Sequence, residues 1–348
     1  MKTIEPDKRF PLVGILTSRK KTGEIAGNGS LFMEIQKKLI SLDGISFVFT
    51  LDGIKGETIE GFIYSLEKNS WELAEVPFPD IIYNRIPFRS HEQDEKYSDF
   101  LSLLKKKNIP FFNPGFIDKY ELYCLLKDNK VLNSFLPDTI LANQQQKLNS
   151  FLKKHASIYL KPACSSKGKG IFKLAITEKQ KVHLEGLIKK QTYKSFNQFW
   201  DEWNPHLCLK QYVAQEEIKS SLINGKRFDF RILAHAVNDL YVVTGVGIRQ
   251  SQHQDLTTHI PTGGRLVPYQ LIQTEEHDRF IQKIVQEIGR TLTRNIGFFG
   301  EFSIDAAINQ AGKYYIFEVN SKPMSFDEPE IEKRKIDQLC KLFLQLSS

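Results

Sequence analysis

The segment GEFSIDAAINQAGKYYIFEVNSKPM, Gly300 to Met324, carries three side chains whose oxygens could share one ligand: Asp305, Glu318 and Asn320. Its two halves, Glu301–Ile308 and Tyr314–Asn320, alternate in polarity, and Ala311-Gly312 between them is a turn signal. The spacing therefore predicts a β-hairpin. A reversal between Ala311 and Gly312 pairs Gln310 with Lys313, Ile308 with Tyr315, Ala306 with Phe317 and Ile304 with Val319, which makes one apolar face. The opposite face sets Asp305 across from Glu318 and Ser303 across from Asn320. Directly opposed Cβ atoms lie roughly 4.5–5.5 Å apart, where like charges destabilise a sheet. Positive charge between the two acids removes the conflict. A hard divalent cation suits the position, because Mg²⁺ takes oxygen ligands and combines one or two carboxylates with substrate phosphates. Asn320, two residues past Glu318, adds a neutral oxygen on the same face. The plain alternative is a solvated outer face with incidental charges.

Other stretches carry complementary chemistry. In KPACSSKGKGI, Lys161 to Ile171, small residues let backbone N–H groups approach an anion, and Lys167 and Lys169 add charge. Lys161 stands at the end of a strand facing the same loop. The loop lacks the GxxxxGK[ST] pattern and no helix follows it, so it is not a Walker A loop; a surface hairpin is the alternative. FDFRIL puts Asp229 and Arg231 on one strand face. They make either a structural pair or a place where Arg231 clamps phosphate or carboxylate bidentately. Arg249 and the Thr/Gly loop from Thr257 to Gly264 offer a further cation and a close backbone approach, or a simple turn.

These residues need elements to hold them. A chain of 348 residues is too long for one compact core and implies two or three lobes. Strand–helix–strand alternation over residues 1–115 predicts a parallel α/β lobe. It comprises strands Phe10–Ser18, Ile45–Leu51 and Pro79–Ile86, with helices Leu31–Leu42 and Lys96–Asn108. A helix Asp118–Phe135 follows, capped by Asp118 and stopped by Pro137. The remainder reads as antiparallel α+β, ending in a helix over the C-terminal tail. The hydrophobic fraction of 41% and charged fraction of 26% are those of a soluble globular protein, and the 25 Phe residues imply aromatic packing. There is no apolar run of transmembrane length and no secretory leader, so a membrane role is not expected and a cytoplasmic location is. The four cysteines, Cys124, Cys164, Cys208 and Cys340, are scattered without a CxxC and read as reduced thiols. A net charge of +7 suits an anionic partner. No zinc-finger, RNP-type or basic-helix pattern points to nucleic acid, which leaves a nucleotide.

The order of these pieces resembles the ATP-grasp family, and within it the YheC/YheD group of spore-coat-associated proteins. YNRIPFR, FFNPGFIDKYELYCLL, LPDT, YLKPACSSKGKGI, FDFRIL, TGG and FEVNSKP carry the resemblance, from Tyr83 to about Pro323. It implies an α/β N-terminal lobe (1–115) followed by an α+β ATP-grasp domain (116–348). That domain would have a lid subdomain near 150–212 and a C-terminal subdomain near 213–348, with ATP held between two antiparallel sheets. By the same resemblance, Lys119 and Lys161 match phosphate-binding lysines, and Ser165, Ser166, Lys167, Gly168 and Gly170 match the flap over the triphosphate. Gln211, Tyr212 and Val213 match a hinge whose backbone reads adenine, and Glu217, or the adjacent Glu216, matches the ribose contact. Arg231 and Arg249 match catalytic arginines facing phosphate and substrate. Asp305, Glu318 and Asn320 match ligands of Mg²⁺, two ions in all. Two positions depart from the family: His259 stands where related ligases often carry Asn, and Lys210 where many have an acid near adenine.

The implied activity is an ATP-dependent carboxylate–amine ligase working through an acyl phosphate. Its carboxylate and amine substrates would be an amino acid, a peptide or a protein tail, and spore coat proteins would be partners. Arg85 and Arg89 would meet an acidic acceptor, or are surface arginines. The competing readings are a kinase on the same scaffold and a coat protein that binds nucleotide without turnover.

Overall fold

The computed structural model describes residues 2–3, 11–164, 170–252, 258, 260 and 263–347. Ser165, Ser166, Lys167, Gly168, Lys169, Thr257 and His259, singled out above, lie outside the described residues. The first lobe contains β1 (Lys2–Thr3), β2 (Leu12–Thr17), α1 (Gly29–Ile40), β3 (Ile45–Lys55), β4 (Thr58–Ser65), β5 (Ser70–Pro77), β6 (Ile81–Asn84), α2 (Glu95–Lys107) and β7 (Phe111–Phe112). Its sheet runs β1-β5-β4-β3-β2-β6-β7. β2, β3, β6 and β7 are parallel, as the strand–helix–strand alternation predicts. β3, β4 and β5 form an antiparallel meander, so the lobe is mixed rather than wholly parallel. The meander is hard to read from sequence because Trp71 and Leu73 are exposed, which blurs the two-residue period.

Helix α3 (Lys119–Lys127) follows. The Asp118 carboxylate caps it, accepting from the backbone N–H groups of Tyr120 and Glu121 at 2.8 and 3.2 Å. It ends at Lys127 rather than Phe135. The Asn129 side chain accepts from Val131 and Leu132 N–H and draws the chain into a turn.

The middle lobe holds β8 (Thr139–Leu141), α4 (Gln145–His155), β9 (Ser157–Pro162), β10 (Phe172–Ile176), β11 (Val182–Gly186), β12 (Lys190–Tyr193), α5 (Phe196–Leu209) and β13 (Tyr212–Glu216). All pairings in its sheet, β12-β11-β10-β9-β13-β8, are antiparallel. Because β8 closes an edge against β13, this sheet starts at Thr139 and ends at Glu216, wider than the 150–212 expected. Phe199, Trp203, Leu160 and Leu174 sit in a core of its own.

The last lobe comprises β14 (Leu222–Ile223), β15 (Lys226–Val237), β16 (Leu240–Gln250), β17 (Arg265–Val267), α6 (Glu275–Asn295), β18 (Glu301–Ile308), β19 (Tyr314–Asn320) and α7 (Pro329–Ser347). Its sheet runs β17-β16-β15-β18-β19, with β14 on β15, and is again antiparallel. The chain is thus an α/β lobe followed by two antiparallel sheets, the fold class expected. Among the described residues no helix is long and apolar enough to cross a membrane.

The first and last lobes share one core, in which Val13, Ile15, Tyr83 and Phe112 join Phe302, Ile304 and Phe343. Tyr83 stacks on Phe112 with centroids 4.8 Å apart. A Cβ on Gly300 would lie 2.6 Å from the Phe112 ring and 2.5 Å from Leu342, so β18 can start this close only with glycine. Asn113, buried and held at φ 59°, finishes the join. Its amide donates to the carbonyls of Glu301 (2.8 Å) and Ser321, and its oxygen accepts from Gly300 N–H at 2.9 Å. One side chain of the first lobe therefore ties down both ends of the β18–β19 hairpin.

Asn113→Ala should remove about 2–4 kcal/mol, since it strands several buried backbone groups at once. Calorimetry of the ligand-free protein should show the melting temperature falling by several degrees. An unchanged value would contradict this account of the join.

Candidate active site

The hairpin reaches its geometry by two compensating one-residue steps. Asn309 N–H donates to the Lys313 carbonyl (2.8 Å), and the Asn309 side chain accepts from the N–H groups of Ala311 and Lys313. Gly312 supplies the positive φ of 83°. This turn sets Ile308 opposite Tyr314 and Ala306 opposite Ile316, not opposite Tyr315 and Phe317 as expected. A bulge after Asp305 then leaves Phe317 as the extra residue and restores Asp305 opposite Glu318 and Ser303 opposite Asn320. The apolar face, with Ile304, Ala306, Ile316 and Val319, packs into the shared core. Phe317 is turned instead to line a cleft of about 770 Å³ between the lobes.

Each acid has its own cation. Arg231 lies opposite Asp305 on the neighbouring strand β15, and its Nη1 donates to Oδ1 at 3.0 Å. Asp229 does not join this pair; it meets Arg227 at 3.3 Å and the Thr258 hydroxyl at 2.7 Å. Lys119, in the first turn of α3, donates to Glu318. Burial raises the Asp305 carboxyl above its ordinary value, with Arg231 opposing and Glu318 adding to the rise. Burial acts in the same direction on Glu318. There, however, Lys119, with Lys161 and Arg231 behind it, holds the carboxyl below the ordinary value. Asn320 donates weakly to Asp305 Oδ2 at 3.4 Å, and the buried Ser303 Oγ has no hydrogen-bond partner among the described residues. Asn320 and Ser303 thus share the sheet face of the two acids, whose cations come from neighbouring elements.

Lys161, on β9 of the middle lobe, enters from the other side. Its ammonium donates to Gln215 Oε1 at 2.6 Å and lies 5.7 Å from the centre of the Phe317 ring. Burial lowers it to about 8. Gly170 closes the described end of the Gly/Ser loop at φ 74°, and its neighbour Ile171 lines the cleft.

Three expectations are displaced. The segment Gln211, Tyr212, Val213 does not line the cleft. The Gln211 and Tyr212 carbonyls accept from Ala163 and Ala142 N–H, and the Tyr212 ring lies in the middle-lobe core. The segment that does line it comes later, with Gln215, Glu216, Ile218 and Ser220 running from β13 toward β14. Glu217 is held by Lys173 at 2.6 Å. Arg249 reaches the cleft wall but is buried and already paired, with Nη2 2.9 Å from Glu328 Oε2 and 3.4 Å from Asp327 Oδ2. A Cβ on Gly247 would sit 2.3 Å from Glu328 Oε1, so that glycine makes room for the pair. Arg85 is no surface arginine: it bonds Glu301 at 2.9 Å and the Pro323 carbonyl at 3.0 Å.

A family model described as "YheC/D like ATP-grasp" matches residues 108–348. Over 364 aligned residues the chain is 29% identical to the endospore coat-associated protein YheD of Bacillus subtilis (strain 168), covering 95% of this chain and 76% of that protein. Its fold is similar to that of D-alanyl-alanine synthetase A from Vibrio cholerae O1 biovar eltor str. N16961, with a TM-score of 0.58, 13% identity and coverage of 97% and 98% of the two chains. It is also similar to the ATP-grasp ligase PsnB, solved with a phosphomimetic variant of its minimal precursor, Mg and ADP. That match has a TM-score of 0.57, 12% identity and coverage of 96% and 98%.

Asp305 is held above its unfolded value, so its charge costs stability once the pH exceeds the carboxylate range. Asp305→Asn should therefore raise the melting temperature of metal-free protein by a few degrees at pH 7. The gain should vanish as the pH falls below about 4, where both carboxyl states are protonated. A lower melting temperature at pH 7 would show that the paired acids are not in conflict.

Proposed function

Because the chain belongs to the YheC/D-like ATP-grasp family, we propose that it is an ATP-dependent carboxylate–amine ligase acting on amino-acid or peptide-like substrates. The observation that carries this reading is the single rung on which Asp305 faces Glu318, each acid held by a separate cation, with Lys161 across the cleft. The set of Asp305, Glu318 and Asn320 fits Mg²⁺, because each side chain carries an oxygen ligand and the Asp305 carboxyl stays raised despite Arg231. Bound there, the ion would supply charge neutralisation to phosphate oxygens.

The chain's own residues account for the rest. Lys161 meets the phosphates from the middle lobe, while Arg231 and Lys119 meet them from the last lobe and α3. Each exchanges a carboxylate or amide partner for a phosphate oxygen. Phosphoryl transfer asks mainly for in-line placement and fixed positive charge, which these side chains give without a nucleophilic residue. A substrate carboxylate oxygen forms a bond to the γ-phosphorus, and the bond to the β–γ bridging oxygen breaks, releasing ADP. An amine then bonds to the acyl carbon and phosphate leaves, with the amine proton passing to solvent. The Gln215–Ser220 segment, next to Lys161, is the stretch we assign to the nucleotide's base and sugar. Arg249 is a positioning residue, because Glu328 and Asp327 already engage it. The coat association in the names of YheD and YheC makes coat polypeptides the substrates we propose.

The test is a screen of amino acids and short peptides for stimulated ADP release, with mass spectrometry of products. An amide product formed only with both cosubstrates is expected; a phosphorylated acceptor would replace this reading with a kinase. The Asp305→Ala, Glu318→Ala double variant should bind Mg-ATP at least about tenfold more weakly, a loss of about 1.4 kcal/mol or more. Unchanged binding would sink the metal assignment.

A pH dependence follows from Lys161. Phosphate favours its protonated form, so binding raises a group that burial has lowered to about 8. Affinity for Mg-ATP should be full below about pH 8 and fall as the pH rises through it, with proton uptake in calorimetry. In Lys161→Arg, which stays charged, the fall should disappear.

A further inference from the structure

Most cations lining the cleft already hold a carboxylate. Lys119 has Glu318, Arg231 has Asp305, Arg249 has Glu328, Arg85 has Glu301 and Lys322 has Glu92. Among the described residues, Lys161 and Arg89 line the cleft without an acidic partner. Lys161 faces the proposed phosphate position. Arg89 belongs to the part of the cleft where the first lobe meets the loop before α3.

Arg89 is fixed rather than loose. Its Nη2 donates to the Ile117 carbonyl at 2.9 Å, and its guanidinium lies 5.0 Å from the centre of the Phe116 ring. Ile117 stands two residues before Lys119, so the Arg89 head group lies beside the end of α3 that reaches Glu318. The ammonium of Lys322 covers the same Phe116 ring at 4.5 Å, and Lys322 is spent on Glu92 and the Ile86 carbonyl. One guanidinium nitrogen is thus used for anchoring, while the remaining N–H groups keep their hydrogen-bonding capacity. Phe88 and Met324, both exposed, give this corner an apolar margin. A half-buried, anchored guanidinium with apolar flanks and, among the described residues, no ion-paired acid suits a planar carboxylate, which it can grip bidentately; Glu92 and Asp118 nearby are taken by Lys322 and by the cap of α3.

We propose that Arg89 is the substrate-carboxylate site of this cleft, taking the carboxylate of an amino acid or peptide whose stem lies against Phe88 and Met324. The site rests on the ligase reading for its purpose but not for its chemistry. It also separates two arginines that look alike in YNRIPFR: Arg85 holds the hairpin's following loop, and Arg89 meets the ligand.

The experiment uses N-acetylglycine, the smallest peptide carboxylate, and its neutral isostere N-acetylglycinamide. Binding of each is followed by ligand-observed NMR on the full chain, with and without Mg-ADP, for the parent protein and for Arg89→Gln and Arg89→Lys. The expected result is at least about fivefold tighter binding of the acid than of the amide by the parent. That preference should be lost in Arg89→Gln and partly restored in Arg89→Lys, with Mg-ADP affinity changed less than about twofold in both. Equal binding of acid and amide by the parent would overturn the proposal, and so would a preference that survives Arg89→Gln. Melting curves of the variants identify any loss caused by unfolding, in which case Arg89→Lys decides. Failure of Mg-ADP to bind the parent would overturn the ligase reading, and the arm without nucleotide would still judge Arg89.

Discussion

The site is organised around a repulsion. Two carboxylates occupy one rung of an antiparallel ladder, a place where like charges work against the sheet. The chain answers with cations drawn from three separate segments. Arg231 comes from the adjoining strand, Lys119 from the start of α3, and Lys161 from the middle lobe. Asp305 stays above its ordinary value despite Arg231, so the tension is contained and not removed. That arrangement lets a site stay assembled while remaining receptive to a further positive charge.

Holding it in place falls to the first lobe. Asn113 binds both ends of the hairpin, Arg85 binds the Pro323 carbonyl, and Lys322 returns from the hairpin's end to Asn84, Ile86 and Glu92. Below them Glu301 is fully buried and receives Arg85 and the Tyr83 hydroxyl. Lys335 and His235 are each just under 4 Å away. Burial of a carboxylate is tolerated here because several donors and cations share it. The hairpin is therefore clamped from beneath while its polar face stays open to the cleft.

The parts of this picture readable in sequence are the short-range ones. Period-two alternation placed Asp305, Glu318 and Asn320 on one face, and an Asp before a helical run marked the cap beside Lys119. The acid pairing survived an error in the turn because the Phe317 bulge restored the register. A bulge leaves no mark in a pattern of alternation. The longer-range facts were not legible. Arg249 meets Glu328 across 79 residues, and Gln215 to Ser220 line the cleft only because β13 is paired on both sides and its start is used up in the sheet. The β4–β5 meander escaped because its apolar residues serve two faces.

The middle lobe keeps a hydrophobic core separate from the one that unites the other two. Cooperative units of a protein follow such divisions. This lobe can consequently melt or swing as a block while the acids on β18 and β19 stay where they are. Heat or denaturant should then unfold the middle lobe apart from the first and last lobes, whose own transition is the one that Asn113 and Asp305 report. Damage confined to the aromatic packing of α5 would withdraw the wall that carries Lys161 and leave the other wall folded.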